Sequence, residues 1–148
     1  MENYSNALGK NRIVIEDIKV KIIIDLVKDR LKAFSIYIFG SAVNIGLRED
    51  SDIDIAFLSD TVFCPYEIFT VAQELSGLIG KDIDIVDIKD SSEVFKVQVI
   101  GGGVEVFCSD PLRSAYFRMH ALKDYAVLNE RRAVVLDSIK ERGSIYAG

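Results

Sequence analysis

Ser35-Ile36-Tyr37-Ile38-Phe39-Gly40-Ser41, followed after ten residues by Asp52-Ile53-Asp54-Ile55-Ala56-Phe57-Leu58, sets the fold of this chain. The first run is β-branched and aromatic and stops at a glycine. The second alternates acidic with aliphatic and then continues apolar, so both read as strands. Strand residues two apart point to one face, which puts the Asp52 and Asp54 carboxylates side by side. A Gly-Ser turn leaving a strand offers backbone N–H groups and a hydroxyl to phosphate, and glycine permits a close approach that a Cβ would obstruct. A short helical segment from Ala42 to Ile45 is expected to aim its N-terminus at the same place. Downstream, a second doublet, Asp82-Ile83-Asp84, lies in another alternating run, Lys81 to Ile88.

Charge decides what such a pattern is for. Neighbouring carboxylates repel, and a third from an adjacent strand makes an empty cluster worse. A divalent cation removes the conflict. Mg²⁺ takes one or two carboxylates together with substrate phosphates and water, so the pattern reads as a metal site completed by a nucleoside triphosphate. Two ions permit in-line displacement, one lowering the pKa of an attacking hydroxyl and the other holding the leaving phosphates. Asp84, if it faces the attacking side, is the candidate general base, and Ser41 is a phosphate ligand. With each residue type at about 5–7% usage, Gly-Ser-x10-Asp-x-Asp arises by chance on the order of once in a thousand chains of this length.

Outward from this centre, apolar positions Ile15, Ile18, Ile22 and Leu26 recur at helical spacing to about Lys32. Pro65 suits the first turn of a helix carrying Ile68, Phe69, Ala72, Leu75 and Ile79, with Gly80 as its left-handed cap. Ser91-Ser92-Glu93 opens a short helix through Ile100, stopped by Gly101-Gly102-Gly103, and Val104 to Cys108 is the last strand. Asp110 and Pro111 then begin a long helical region that Gly143 is expected to end. The expectation is a single α/β (α+β) domain over residues 1–148, with a core at about 13–108 and a C-terminal helical region at about 110–142.

The 148 residues suffice for one domain with a substantial core. A net charge of −5 with a pI near 4.9 argues against direct nucleic-acid binding, which needs clustered Lys and Arg. No apolar run approaches the roughly 18 residues of a membrane span. Cys64 and Cys108 have no metal-ligand spacing, and the start Met1-Glu2-Asn3-Tyr4 lacks a signal-peptide pattern. The expected setting is the cytoplasm, with no membrane partner.

Phe39-Gly40-Ser41 through Asp50-Ser51-Asp52-Ile53-Asp54-Ile55, Ile83-Asp84-Ile85-Val86-Asp87, and Gly102-Gly103-Val104-Glu105-Val106-Phe107 resemble three signature segments of one superfamily. These are the minimal nucleotidyltransferases of the DNA-polymerase-β-like superfamily, and the resemblance covers about Ile36 to Cys108. It implies a small mixed sheet flanked by helices, and it makes Asp84, not Asp82, the third metal ligand beside Asp52 and Asp54. Single-domain members of this size are similar to antitoxin adenylyltransferases of the MntA type. That likeness implies Mg²⁺-dependent transfer of AMP from ATP to a tyrosine of a partner HEPN-domain ribonuclease toxin. Where many relatives carry Arg and Gly after the Gly-Ser pair, this chain has Asn44 and Ile45, which either weakens the triphosphate grip or passes the task to Arg48. Two other readings compete: nucleotide transfer to a small molecule, as in aminoglycoside-type relatives, and stoichiometric masking of a toxin by a vestigial site.

Several residues fall outside this chemistry. His120 has no partner at ligand spacing, and Gly101-Gly102-Gly103 lacks the Lys-Ser/Thr of a P-loop. Tyr116, Phe117 and Tyr125, at helical spacing, read as core or interface.

Overall fold

The computed structural model describes residues 15–40 and 52–146. Its helices are α1 (Asp17–Leu31), α2 (Pro65–Ile79), α3 (Glu93–Gly102) and α4 (Pro111–Tyr146). Its strands are β1 (Ala33–Phe39), β2 (Ile53–Ser59), β3 (Ile83–Asp87) and β4 (Val104–Cys108), with a 3-10 turn at Ile88–Asp90. The strands form one mixed sheet in the order β3-β2-β1-β4. β1 runs antiparallel to β2 and β4, whereas β2 and β3 are parallel. A parallel pair needs a crossover, and α2 supplies it.

Local chemistry accounts for the ends of these elements. α1 buries Val20, Ile23, Val27 and Leu31 along one stripe and ends at Lys32 in the left-handed conformation (φ 49°), so the chain passes directly into β1. α2 begins with Pro65 in its first turn and ends at Gly80 (φ 79°), whose N–H donates to Ser76 C=O at 2.9 Å. α3 is capped by Ser92 Oγ, which accepts from Phe95 N–H at 3.2 Å. Asp110 Oδ1 accepts from Arg113 N–H at 3.2 Å and opens α4.

The sheet is covered on both sides. On one face Ile36, Ile38, Ile53, Ile55 and Phe57 pack against the buried stripes of α1 and α2. On the other, Tyr37, Ala56 and Leu58 meet Val99 of α3, Ile88, and Phe117 of α4. Burial on both faces explains why β1 reads as a nearly continuous apolar run. Each fully buried Ile or Phe here contributes on the order of 1.5–3 kcal/mol.

Two expectations about glycine need correction. α4 runs through Gly143 to Tyr146, because one helical glycine costs about 1 kcal/mol relative to alanine and does not by itself end a helix. The glycine run after Ile100 does not stop α3 at its first residue: Gly101 and Gly102 are helical, and Gly103 is extended (φ −92°). A Cβ on Gly103 would stand 2.5 Å from Val99 C=O and 3.1 Å from Ile38 C=O, so close backbone contact is what requires glycine there. No helix among the described residues is long and apolar enough to cross a membrane.

Candidate active site

Asp54 is the second residue of β2, and its two strand partners build the site. On one side it pairs with Phe39 at the end of β1, and on the other with Asp84 of β3. In register across adjacent strands, Asp54 and Asp84 present their carboxylates on the same face. Asp52 precedes the strand and is exposed, Asp54 is half-buried and Asp84 is exposed. Burial, followed by the charges of Asp84 and then Asp52, holds the Asp54 carboxyl above the usual carboxylate range. Asp54 and Asp84 are thus strand partners, and the charge of Asp52 also bears on Asp54. Asp82 lies before β3, where its C=O accepts from Ile53 N–H at 2.9 Å, and its charge is not among those that shift Asp54.

Gly40 closes the end of β1 beside this cluster. Its φ of +74° belongs to the left-handed region, and a Cβ there would collide with the Asp54 carboxylate. The backbone thus lies against the acid. Ser41, the Ala42 to Ile45 segment, Asn44, Ile45 and Arg48 lie outside the described residues.

The donor set suits a hard cation. It consists of carboxylate oxygens alone, one of them destabilised as an anion by the other two. Among the described residues, no three His, Cys, Asp or Glu side chains are arranged so as to hold a metal ion together. Mg²⁺ needs only one or two protein carboxylates and keeps its other coordination positions for water and phosphate.

A second polar group was hidden in the sequence. Glu105 of β4 accepts from Ser35 Oγ of β1 and from Ser114 Oγ of α4, and Arg118 approaches it at 3.5 Å. Ser35 stands in an apolar run and Glu105 in Val-Glu-Val, so local alternation assigns Glu105 to solvent; the fold places both beneath α4. His120 is exposed and stacks on Tyr116, with 6.1 Å between ring centroids.

Residues 21–112, from α1 to the start of α4, match the polymerase beta nucleotidyltransferase family. The chain belongs to that family. This nucleotidyltransferase is similar to the protein adenylyltransferase MntA of Shewanella oneidensis, at 29% identity over 79% of this chain and 84% of the relative. A crystal structure of the MntA-HepT toxin–antitoxin superposes with a TM-score of 0.70 at 26% identity, covering 84% of this chain and 98% of that one. A toxin–antitoxin structure with AMP-PNP gives 0.72 at 28%, covering 81% of this chain and 97% of that one. Another, the tri-AMPylated Shewanella oneidensis HEPN toxin in complex with MNT antitoxin, gives 0.70 at 26%, covering 84% and 98%. The span of the nucleotidyltransferase match contains Gly40, Asp52, Asp54 and Asp84.

Proposed function

We propose that this nucleotidyltransferase is an antitoxin that transfers AMP from ATP to a tyrosine hydroxyl of a partner HEPN-type ribonuclease toxin and so neutralises it. The observation that carries the chemistry is the pairing of Asp54 with Asp84 across β2 and β3, with Asp52 close enough to raise the Asp54 pKa. The likeness to a protein adenylyltransferase and to one complex of AMPylated toxin supports the acceptor. The setting proposed is the cytoplasm, where ATP is made and where free thiols such as Cys64 and Cys108 persist.

Asp52, Asp54 and Asp84 would hold Mg²⁺, as two ions, and Gly40 with Ser41 would hold the triphosphate. Bound there, the metal supplies charge neutralisation and lowers the pKa of the attacking hydroxyl. The phenolic oxygen forms a bond to the α-phosphorus as the bond to the β-phosphate bridging oxygen breaks, and pyrophosphate leaves with that electron pair. Asp84, on the more exposed strand, takes the phenolic proton. Gly40 lets the backbone lie against the Asp54 carboxylate, which a Cβ there would push aside.

Purified chain, labelled ATP and the partner toxin test the reading. Wild type transfers AMP, Asp52→Asn and Asp54→Asn abolish transfer, and Asp84→Asn lowers it by about 10²–10⁴-fold, as loss of a general base requires. Unchanged transfer in Asp52→Asn and Asp54→Asn would refute the site. Neutralisation by Asp54→Asn as effective as that by wild type would mean masking instead of chemistry.

A further inference from the structure

Asp54 of β2 stands opposite Phe39 of β1, and residues so paired in an antiparallel ladder share a face of the sheet. Ala56, two places along β2, and Tyr37, two places back along β1, belong to the core that α3 covers. Asp54 and Phe39 therefore lie on the α3 side. Asp84, level with Asp54 on β3, lies there too, so one row of side chains crosses the end of the sheet: Asp84, Asp54, Phe39. Beyond Phe39, on the β4 side, the row stops at Gly103, where a Cβ would stand 3.2 Å from Phe39 Cβ. Phe95 of α3 meets the Phe39 ring edge to face, with centroids 5.5 Å apart and the planes at 86°.

The core under α3 is finished at its margin in two ways. Four of its aromatics are partly exposed: Phe34, Phe39, Phe95 and Phe117. Phe34 is capped by the Arg113 guanidinium, 4.2 Å from the ring centroid, and Phe117 by Lys96 Nζ at 6.0 Å. Phe39 and Phe95 have no such cap among the described residues. Their ring contact is with each other, and an edge-to-face pair uses one of four ring faces. An uncapped aromatic pair thus adjoins the carboxylates.

We propose that Phe95, with Phe39 beside it, is the platform on which the nucleobase of bound ATP stacks. The proposal rests on the metal and phosphate site read above, at Asp52, Asp54, Asp84 and Gly40, and deepens it by placing the rest of the nucleotide. In-line displacement sets the attacking and leaving oxygens at opposite apices of the α-phosphorus. The nucleoside accordingly departs sideways from the line between the Asp84 side and the phosphates at Gly40. The sheet closes one sideways direction, and α3 with Phe95 borders the other. An aromatic ring suits that neighbour, because every base has a π-face to lay on it.

Binding of ATP and of inorganic tripolyphosphate in Mg²⁺ buffer, with melting curves in parallel, tests the assignment. Phe95→Ala is expected to weaken ATP at least fivefold, as loss of a base-stacking contact does, and to leave tripolyphosphate affinity unchanged. Phe95→Leu, which keeps the core under α3 filled should Phe95→Ala not fold, is expected to show the same split. Phe95→Tyr restores the ring and should bind ATP as wild type does. Wild-type ATP affinity in a folded Phe95→Ala or Phe95→Leu protein overturns the platform, as does an equal loss for ATP and tripolyphosphate, which marks a structural role alone. Failure of wild type to bind ATP at all overturns the site reading itself.

Discussion

The site depends on two residues that oppose each other in kind, a glycine in a conformation unsuited to side chains and an acid held near other acids. Gly40→Ala imposes a left-handed backbone on alanine, at about 1–2 kcal/mol, and drives a methyl group into the Asp54 carboxylate. The expected outcome is a lower denaturation midpoint together with lost AMP transfer, since relief of the clash moves the carboxylate. Asp54 carries the opposite cost. Its folded pKa is raised by burial and by Asp84 and Asp52, so the folded state binds the proton more tightly than the unfolded chain. Stability therefore falls as pH rises from the ordinary value of 3.8 through the raised folded value, and the penalty is fully present above that window. In metal-free buffer at neutral pH, Asp54→Asn should melt a few degrees higher than wild type, and the gap should close as pH approaches the ordinary carboxylate range. Added Mg²⁺ should raise the melting temperature of wild type only, as the metal site proposed at Asp52, Asp54 and Asp84 requires. A variant that melts lower than wild type in metal-free buffer at neutral pH would contradict the carboxylate repulsion.

Elements were legible in the sequence where a local signal marked them, and contacts between elements were not. Pro65 and Gly80 bracket α2, and the acidic alternation at Asp52-Ile53-Asp54 marks β2 because its apolar residues face α1 and α2. Gly143 misled, since the cost of one helical glycine is spread over a long helix. Two further features are set by tertiary placement. The pairing of Asp54 with Asp84 depends on sheet order, which period-two alternation does not encode. Likewise, Glu105 lies beneath α4 and bonds Ser35, a partner 70 residues away. Within that contact the Tyr37 hydroxyl is buried beside Arg118 and Ser114 but completes no well-formed hydrogen bond among the described residues. Burial first, then the Glu105 charge, raises its pKa against the opposing pull of Arg118 and Ser114. Tyr37→Phe removes an unsatisfied buried group and keeps the ring, so stability should stay level or rise by up to about 1 kcal/mol in denaturant titration. A loss beyond about 1 kcal/mol would show that the hydroxyl makes a bond with Arg118 or Ser114.

At the scale of the molecule, the chain divides its stability unevenly along α4. The first part of the helix is anchored: Arg113 pairs with Asp60 and lies 4.2 Å from the Phe34 ring centroid, Phe117 packs on the second core, and Ala121 is 3% exposed. Beyond Leu128 the character changes. Every residue from 129 to 140 is exposed, including Val134, Val135, Leu136 and Ile139 at 56–69%. A helix that buries nothing there gains its order from propagation out of the anchored half. Removing residues 131–148 should therefore shift the unfolding free energy by less than about 0.5 kcal/mol, the range of surface changes. Nucleotide affinity should be unaltered, because the site proposed around Asp54 and Asp84 lies at the β2–β3 pair, away from the distal helix. Denaturant titration and nucleotide binding on the truncated chain check both expectations. Loss of cooperative unfolding would place part of the stabilising core in the distal helix and contradict this division.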